Sequence, residues 1–229
     1  MATILITGAS GNLGRAVTDV FISTGYKVIA IVAKKESISD LGKNENLQVE
    51  VADLTNESAS SILISNLLKT YKNIDAALLL VGGFAMGSIQ KTKLEDIHKQ
   101  ISLNFDTAYS IVQPLFRHML ERNKGKFLFI GSRPALKDAD GKNTVAYSLS
   151  KSLLFKLAAY INEEGKEKNI TATVIVPSII DTPENRKSMP NADASKWVKP
   201  EAIAEIIEFI ISEKGDPLKE SIVKVYGNS

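Results

Sequence analysis

Thr3-Ile4-Leu5-Ile6-Thr7 runs straight into Gly8-Ala9-Ser10-Gly11-Asn12-Leu13-Gly14. The first five residues are apolar or β-branched and end at a glycine, which reads as a fully buried strand. Leu13, Ala16, Val17, Val20 and Phe21 then recur at helical spacing, and Gly25 stops that helix. In a strand–loop–helix unit the three glycines have separate tasks. Gly8 lets the chain turn sharply, Gly11 lets the backbone approach a pyrophosphate, and Gly14 lets helix and strand pack closely. The helix start faces that loop with unpaired N–H groups and the positive end of its dipole. Gly8, Ser10, Gly11, Asn12, Leu13 and Gly14 are therefore candidate ligands for nucleotide phosphates.

The same alternation continues along the chain. Strands are predicted at Lys27–Val32, Leu47–Val51, Ala76–Val81, Lys126–Ile130, Ile170–Val176 and Ile222–Tyr226. Helices are predicted at Ser58–Leu68, at Thr144–Asn162 and from Pro200 through Ile211. Apolar residues from Leu94 to Met119 predict one long helix, kinked at Pro114. Regular strand–helix alternation specifies an α/β fold: one doubly wound, parallel, seven-stranded sheet of the Rossmann type. All 229 residues are expected to form a single domain, 1–229. The polar stretch 181–199 is a candidate lid.

Composition removes whole classes of chemistry. There is no cysteine, so no disulfide, thiolate nucleophile or Cys-based zinc site is available. Two histidines, His98 and His118, are too few for a His-rich metal centre, so no metal is expected. Both are expected on the surface of the long helix. Lys+Arg 28 against Asp+Glu 26 leaves no overall field for nucleic acid or an anionic membrane. The apolar runs are too short to span a bilayer, and the start lacks a signal-peptide pattern, so a cytoplasmic protein with a small-molecule substrate is expected.

With cysteine and histidine set aside, proton chemistry must come from elsewhere. Tyr147 and Lys151 lie four apart in a predicted helix and share one face. A neighbouring cation favours the phenolate and lowers the phenol's pKa. Ser132 follows the fifth strand at its carboxyl end, where doubly wound sheets place their ligands.

Together, these residues resemble the short-chain dehydrogenase/reductase family. The resemblance covers essentially the whole chain. It rests on TGASGNLG, on Asp53-Leu54, Asn104 and Ser132, on Tyr147-Ser148-Leu149-Ser150-Lys151, and on Pro177 to Thr182. It implies an oxidoreductase that moves hydride between a nicotinamide coenzyme and a small carbonyl or alcohol. Tyr147 would be the general acid/base and Lys151 would lower its pKa and bind the nicotinamide ribose. Ser132 would hydrogen-bond the reacting oxygen, and Asn104 would hold a water linking Lys151 to solvent. Asp53 and Leu54 would meet the adenine, Gly82 would border the coenzyme, and Pro177, Ile180 and Thr182 would flank the nicotinamide. Family members pair through the long helix and the Tyr147 helix, which implies a homodimer or homotetramer.

Two departures stand out. The family's Asn-Asn-Ala-Gly is here Leu79-Leu80-Val81-Gly82, and its Pro-Gly is Pro177-Ser178. Val81 to Gly87, and Asp181 to Asp193 with Trp197, look like dihydropteridine reductase, which is the alternative reading; a catalytically silent dinucleotide-binding regulator is a second. Dihydropteridine reductases generally lack the serine and the helix asparagine, which this chain carries. Trp197 could either cover the site or anchor the loop. The second strand ends Ile31-Val32-Ala33-Lys34-Lys35, with no acid for ribose hydroxyls and two lysines that suit a 2′-phosphate. Arg15 adds charge beside the glycine loop. NADP(H) is therefore the preferred coenzyme, with NAD(H) possible.

Overall fold

Seven strands, β1 (Thr3–Thr7), β2 (Lys27–Val32), β3 (Leu47–Val51), β4 (Ala76–Leu79), β5 (Gly125–Ile130), β6 (Ile170–Pro177) and β7 (Ile222–Val225), form one sheet in the order β3-β2-β1-β4-β5-β6-β7. Every pairing is parallel. The computed structural model describes residues 1–228. A sheet buried on both faces needs apolar side chains at every position, and all five residues of β1 are buried. The edge strand β3 alternates and is only half covered.

Strand alternation feeds two separate cores. Leu5, Ile29, Ala77, Phe127 and Val174 point to one face, and Ile4, Val28, Leu78, Leu128 and Ile175 to the other. The first core is closed by α2 (Glu57–Tyr71) through Ile64 and Leu67. Ile111 and Leu115 of α4 (Thr107–Arg122) close it further, as do Leu154 and Leu157 of α6 (Val145–Gly165). The second is closed by α1 (Asn12–Ser23) through Val17 and Phe21, and by α8 (Pro200–Ile211) through Ile203 and Ile207. The order of crossovers reverses between β1 and β4, and the crevice at their carboxyl ends is where such sheets bind ligands.

Four expectations change. The fourth strand stops at Leu79, because the Leu80 N–H turns to the Thr7 hydroxyl at 3.1 Å. The seventh stops at Val225 rather than Tyr226. The single long helix is three pieces: Leu94–Ile101 (α3), a π turn at Ser102–Asp106, and α4. Its irregularity lies at that turn, while Pro114 sits inside α4. Finally, the polar stretch after β6 holds its own short helix, Pro183–Ser188 (α7), and another four-residue helix, Asp138–Gly141 (α5), precedes α6. Both are too short for a periodic apolar pattern to show.

His98 is exposed, but His118 is only half exposed and its Nε2 is shielded without a partner. Burial and then Arg122 push its pKa down. Trp197 is 8% exposed and serves as an anchor. Next to it, Val198 donates to the Ile179 carbonyl at 2.9 Å and accepts from Asp181 N–H at 2.8 Å. No helix among the described residues is long and apolar enough to cross a membrane.

Candidate active site

Gly8 has φ +65°, the left-handed conformation that glycine adopts without strain. A Cβ on it would also press on Val81 N at 3.1 Å, so the loop and the segment just after β4 approach backbone to backbone. Gly11 N–H donates to the Gly8 carbonyl at 3.0 Å, closing the turn. Gly11 then caps α1 with no side chain over the helix start. The first amides of α1, from Asn12, Leu13 and Gly14, therefore present to the crevice uncovered by a cap. A Cβ on Gly14 would lie 2.8 Å from both Ala9 C and Ala9 Cα.

Ser132 follows β5, Gly82 follows β4, and Tyr147 and Lys151 are on the first turns of α6. Lys151 is buried, and its ammonium donates to the Ile130 carbonyl at 2.8 Å. Burial lowers its pKa to about 8. Tyr147 is half-buried, and its phenol is pushed up by loss of water, with the Ser132 hydroxyl pulling partly the other way. The protein alone thus does not depress the Tyr147 pKa. The causes are burial and the Ser132 hydroxyl, and the Lys151 ammonium is engaged on a carbonyl instead. Ser132 Oγ is buried and completes no hydrogen bond of full geometry. A buried hydroxyl in that state costs free energy unless a ligand atom joins it.

Asn104 sits in the π turn, 1% exposed. Its Oδ1 accepts from Gly83 N–H at 2.9 Å, and its Nδ2 donates to Gly83 O, Gln100 Oε1 and Ser150 Oγ at 3.0–3.1 Å. The side chain is therefore a clamp on the loop after β4. A Cβ on Gly82 would fall 2.6 Å from Asn104 Oδ1 and 2.9 Å from Lys151 Nζ. Bare backbone at Gly82, the buried Ser132 hydroxyl with no hydrogen bond of full geometry, and the uncovered α1 amides fit a nucleotide coenzyme lying across the carboxyl edge.

The remaining candidates border that edge. Lys34 and Lys35 are exposed at the end of β2, outside every ion pair among the described residues. Arg15 is turned onto Asn12 Oδ1 at 3.0 Å. Asp53 is exposed, and Thr55 holds its carboxyl below the usual range by hydrogen bonds. Leu54 buries its side chain in the core, and its carbonyl accepts from Ser110 at 3.4 Å, so only its peptide edge borders the crevice. Pro177 ends β6, Ile180 bridges to Val198, and Thr182 caps α7 by accepting from Asn185 N–H at 3.2 Å. Glu184 of α7 accepts from the Asn12 side-chain Nδ2 at 2.5 Å, which sets α7 at the mouth of the glycine loop.

Residues 2–193 match the short chain dehydrogenase family. The chain belongs to that family. Among the relatives of this short-chain dehydrogenase is the acetoacetyl-CoA reductase of Acinetobacter sp. (strain RA3849), 25% identical over 92% of this chain and 90% of that one. The 3-oxoacyl-[acyl-carrier-protein] reductase FabG of Thermotoga maritima is 22% identical over 97% of this chain and 95% of that one. A solved structure of ElxO with NADP bound superposes with a TM-score of 0.91 at 21% identity, covering 99% of this chain and 97% of that one. This short-chain dehydrogenase is accordingly an oxidoreductase with a Rossmann-type fold.

Sequence reasoning missed Gln100 and Ser150 as partners of Asn104 in this short-chain dehydrogenase. Gln100 and Ser150 were legible only as neighbours, four residues before Asn104 and one before Lys151. Phe84 packs edge-on to Tyr147, with centroids 5.1 Å apart and an interplanar angle of 70°.

The depressed Lys151 pKa gives a stability prediction. A group whose folded pKa lies below its unfolded one contributes stability that is present above the unfolded value and lost as pH falls through the folded value. Relative to Lys151→Met, the wild type should therefore gain melting temperature as pH rises from about 8 toward 10.5. A difference between the two proteins that stays flat over that range contradicts the assignment.

Proposed function

We propose that the protein reduces the carbonyl group of a small organic substrate, using NADPH in preference to NADH. The observation that carries this reading is Ser132 Oγ, buried without a full partner beside the Tyr147 phenol at the carboxyl end of the sheet. Two hydroxyls there can both donate to one oxygen, and that oxygen gains negative charge as a carbonyl is reduced. When bound, the coenzyme supplies a hydride to the carbonyl carbon. Tyr147 gives its phenolic proton to the oxygen, so the substrate gains two electrons and two hydrogens overall. Ser132 orients and polarises the carbonyl. Lys151 borders the site as a cation at neutral pH. Asn104 keeps the Gly82-Gly83 backbone in place against Lys151.

For the coenzyme, Gly8, Ser10, Gly11, Asn12, Leu13 and Gly14 would hold the pyrophosphate, with Asp53 and Leu54 near the adenine. Lys34 and Lys35 would meet the 2′-phosphate, and Pro177, Ile180 and Thr182 would flank the nicotinamide. The test is NADPH consumption across short ketones and aldehydes. Turnover of at least one supports the reading. Tight dinucleotide binding with no turnover of any carbonyl overturns it and favours a regulator.

Coenzyme choice has its own check. Lys34→Glu with Lys35→Glu should lower the NADPH-to-NADH ratio of kcat/KM by roughly tenfold or more, since removing a charge-assisted contact costs about 1.5–3 kcal/mol. An NADH preference in the wild type contradicts the assignment. Self-association belongs to the same reading: Tyr109 on α4 and Leu149 and Tyr160 on α6 stay 47%, 48% and 67% exposed. Light scattering should give a homodimer or homotetramer.

A further inference from the structure

Resting on the carbonyl-reductase reading, we propose that Phe84 is a specificity-determining residue, a rigid apolar shelf beside Tyr147 that selects substrates carrying a flat, ring-bearing apolar group. The first observation is exposure. Phe84 is 62% exposed and Met86, two residues on, is 72% exposed, in a loop of a protein that buries its other apolar loop anchor, Trp197, to 8%. Exposed apolar groups gathered at one place mark ligand-binding grooves more often than scattered surface residues do. The second is position. The Phe84 and Tyr147 rings pack in an edge-type arrangement, a favourable aromatic geometry that sets Phe84 beside the ring whose hydroxyl would serve the reaction.

The third observation is rigidity. The loop is pinned on both sides of Phe84. Asn104 grips both peptide groups of Gly83. At the other end Gly87 donates to Asn143 O at 2.7 Å and accepts from Val145 N–H at 2.9 Å, tying the loop to the start of α6. Both glycines are closely packed, since a Cβ would lie 2.5 Å from Leu103 Cδ2 at Gly83 and 2.7 Å from Thr92 Oγ1 at Gly87, and those side chains would have to shift. Phe84 is thus a pre-ordered aromatic, and binding a ring against it loses little side-chain entropy. Fourth, a cavity of about 570 Å³ opens beside it, whose lining joins Phe84, Met86 and Leu103 to the charged Lys91, Asp96 and Lys99. That volume is in the range of small-molecule sites and gives a ring somewhere to go.

The experiment compares butan-2-one with 4-phenylbutan-2-one, whose carbonyls have the same immediate surroundings. The NADPH-supplied enzyme should favour the phenyl ketone in kcat/KM, mostly through KM. Phe84→Ala should lower that preference ratio by roughly tenfold or more, the scale on which apolar pockets discriminate, and Phe84→Trp should restore it. An unchanged ratio in Phe84→Ala overturns the shelf. Calorimetric binding of 4-phenylbutan-2-one to the NADP-loaded protein separates the two readings. If neither ketone is turned over but the phenyl ketone binds in a Phe84-dependent way, the carbonyl-reductase reading fails and the shelf stands. If binding ignores Phe84, the shelf falls whatever the turnover.

Discussion

Tyr147→Phe should abolish carbonyl reduction while leaving coenzyme binding intact. The variant removes one oxygen from a half-buried ring and keeps the ring's edge-on packing with Phe84. What disappears is the hydroxyl proposed to deliver a proton to the reacting oxygen, and positioned proton transfer is worth roughly 10²–10⁴-fold. NADPH should still raise the melting temperature, because a ligand that binds only the native state stabilises it. Direction can be read from the same residue. Burial holds the Tyr147 pKa above its ordinary value, so at neutral pH the phenol carries the proton that reduction needs. Oxidation of the product alcohol needs the phenolate, and its rate should climb as pH rises toward the phenol's pKa. An alcohol-oxidation rate that is flat with pH, or full carbonyl reduction by Tyr147→Phe, contradicts the role.

Gly14→Ala should have the second large effect, on stability and coenzyme binding together. One methyl group would be forced to within 2.8 Å of two backbone atoms of Ala9, with the Gly8 carbonyl closer still. Backbone cannot swing away as a long side chain can. Overpacking of this kind costs about 1–3 kcal/mol, occasionally more. For a chain of this size that is a fall of roughly 2–12 °C in melting temperature. The displaced atoms carry the turn that aims the α1 amides, so NADPH should no longer raise the melting temperature of the variant. An unchanged melting temperature with normal NADPH stabilisation would show that the close approach is not required. Gly25→Ala is the contrast: nothing lies within 4 Å of its would-be Cβ, and its cost comes only from φ +88°.

The fold was legible in the sequence because a parallel sheet writes itself as uninterrupted apolar runs. Thr3–Thr7, Lys27–Val32 and Leu47–Val51 are the strands that the pattern predicts, residue for residue. Where the pattern failed, a side chain had overruled it. Asn104 left the helical register to hold Gly83, and no periodicity of apolar residues reports a polar side chain's partner. Short helices such as α5 and α7 bury too little for their period to show. In the site, Tyr147, Lys151 and Ser132 stood out through spacing and strand order. The packing of Phe84 on Tyr147 did not, because an aromatic residue in a glycine-rich loop has no period, and only the folded chain brings the two rings together. The sign of the Tyr147 pKa shift was not legible either. It depends on how much water burial removes, which a four-residue spacing cannot say.

The π turn at Ser102–Asp106 acts as a phase adjuster between two sets of demands. A helix turns about 100° per residue. Before the turn, Gln100 must face Asn104; after it, Ala108, Ile111 and Leu115 must face the sheet. A π turn holds one residue more than an α turn, so it rotates everything beyond it relative to a regular helix. Deleting a single residue there would let the helix close regularly, and the angular mismatch would then have to appear elsewhere. Either Asn104 would swing away from Gly83 or the α4 stripe would roll off the core. A fold organised this way tolerates sequence change along the helix far better than it tolerates a change in its length.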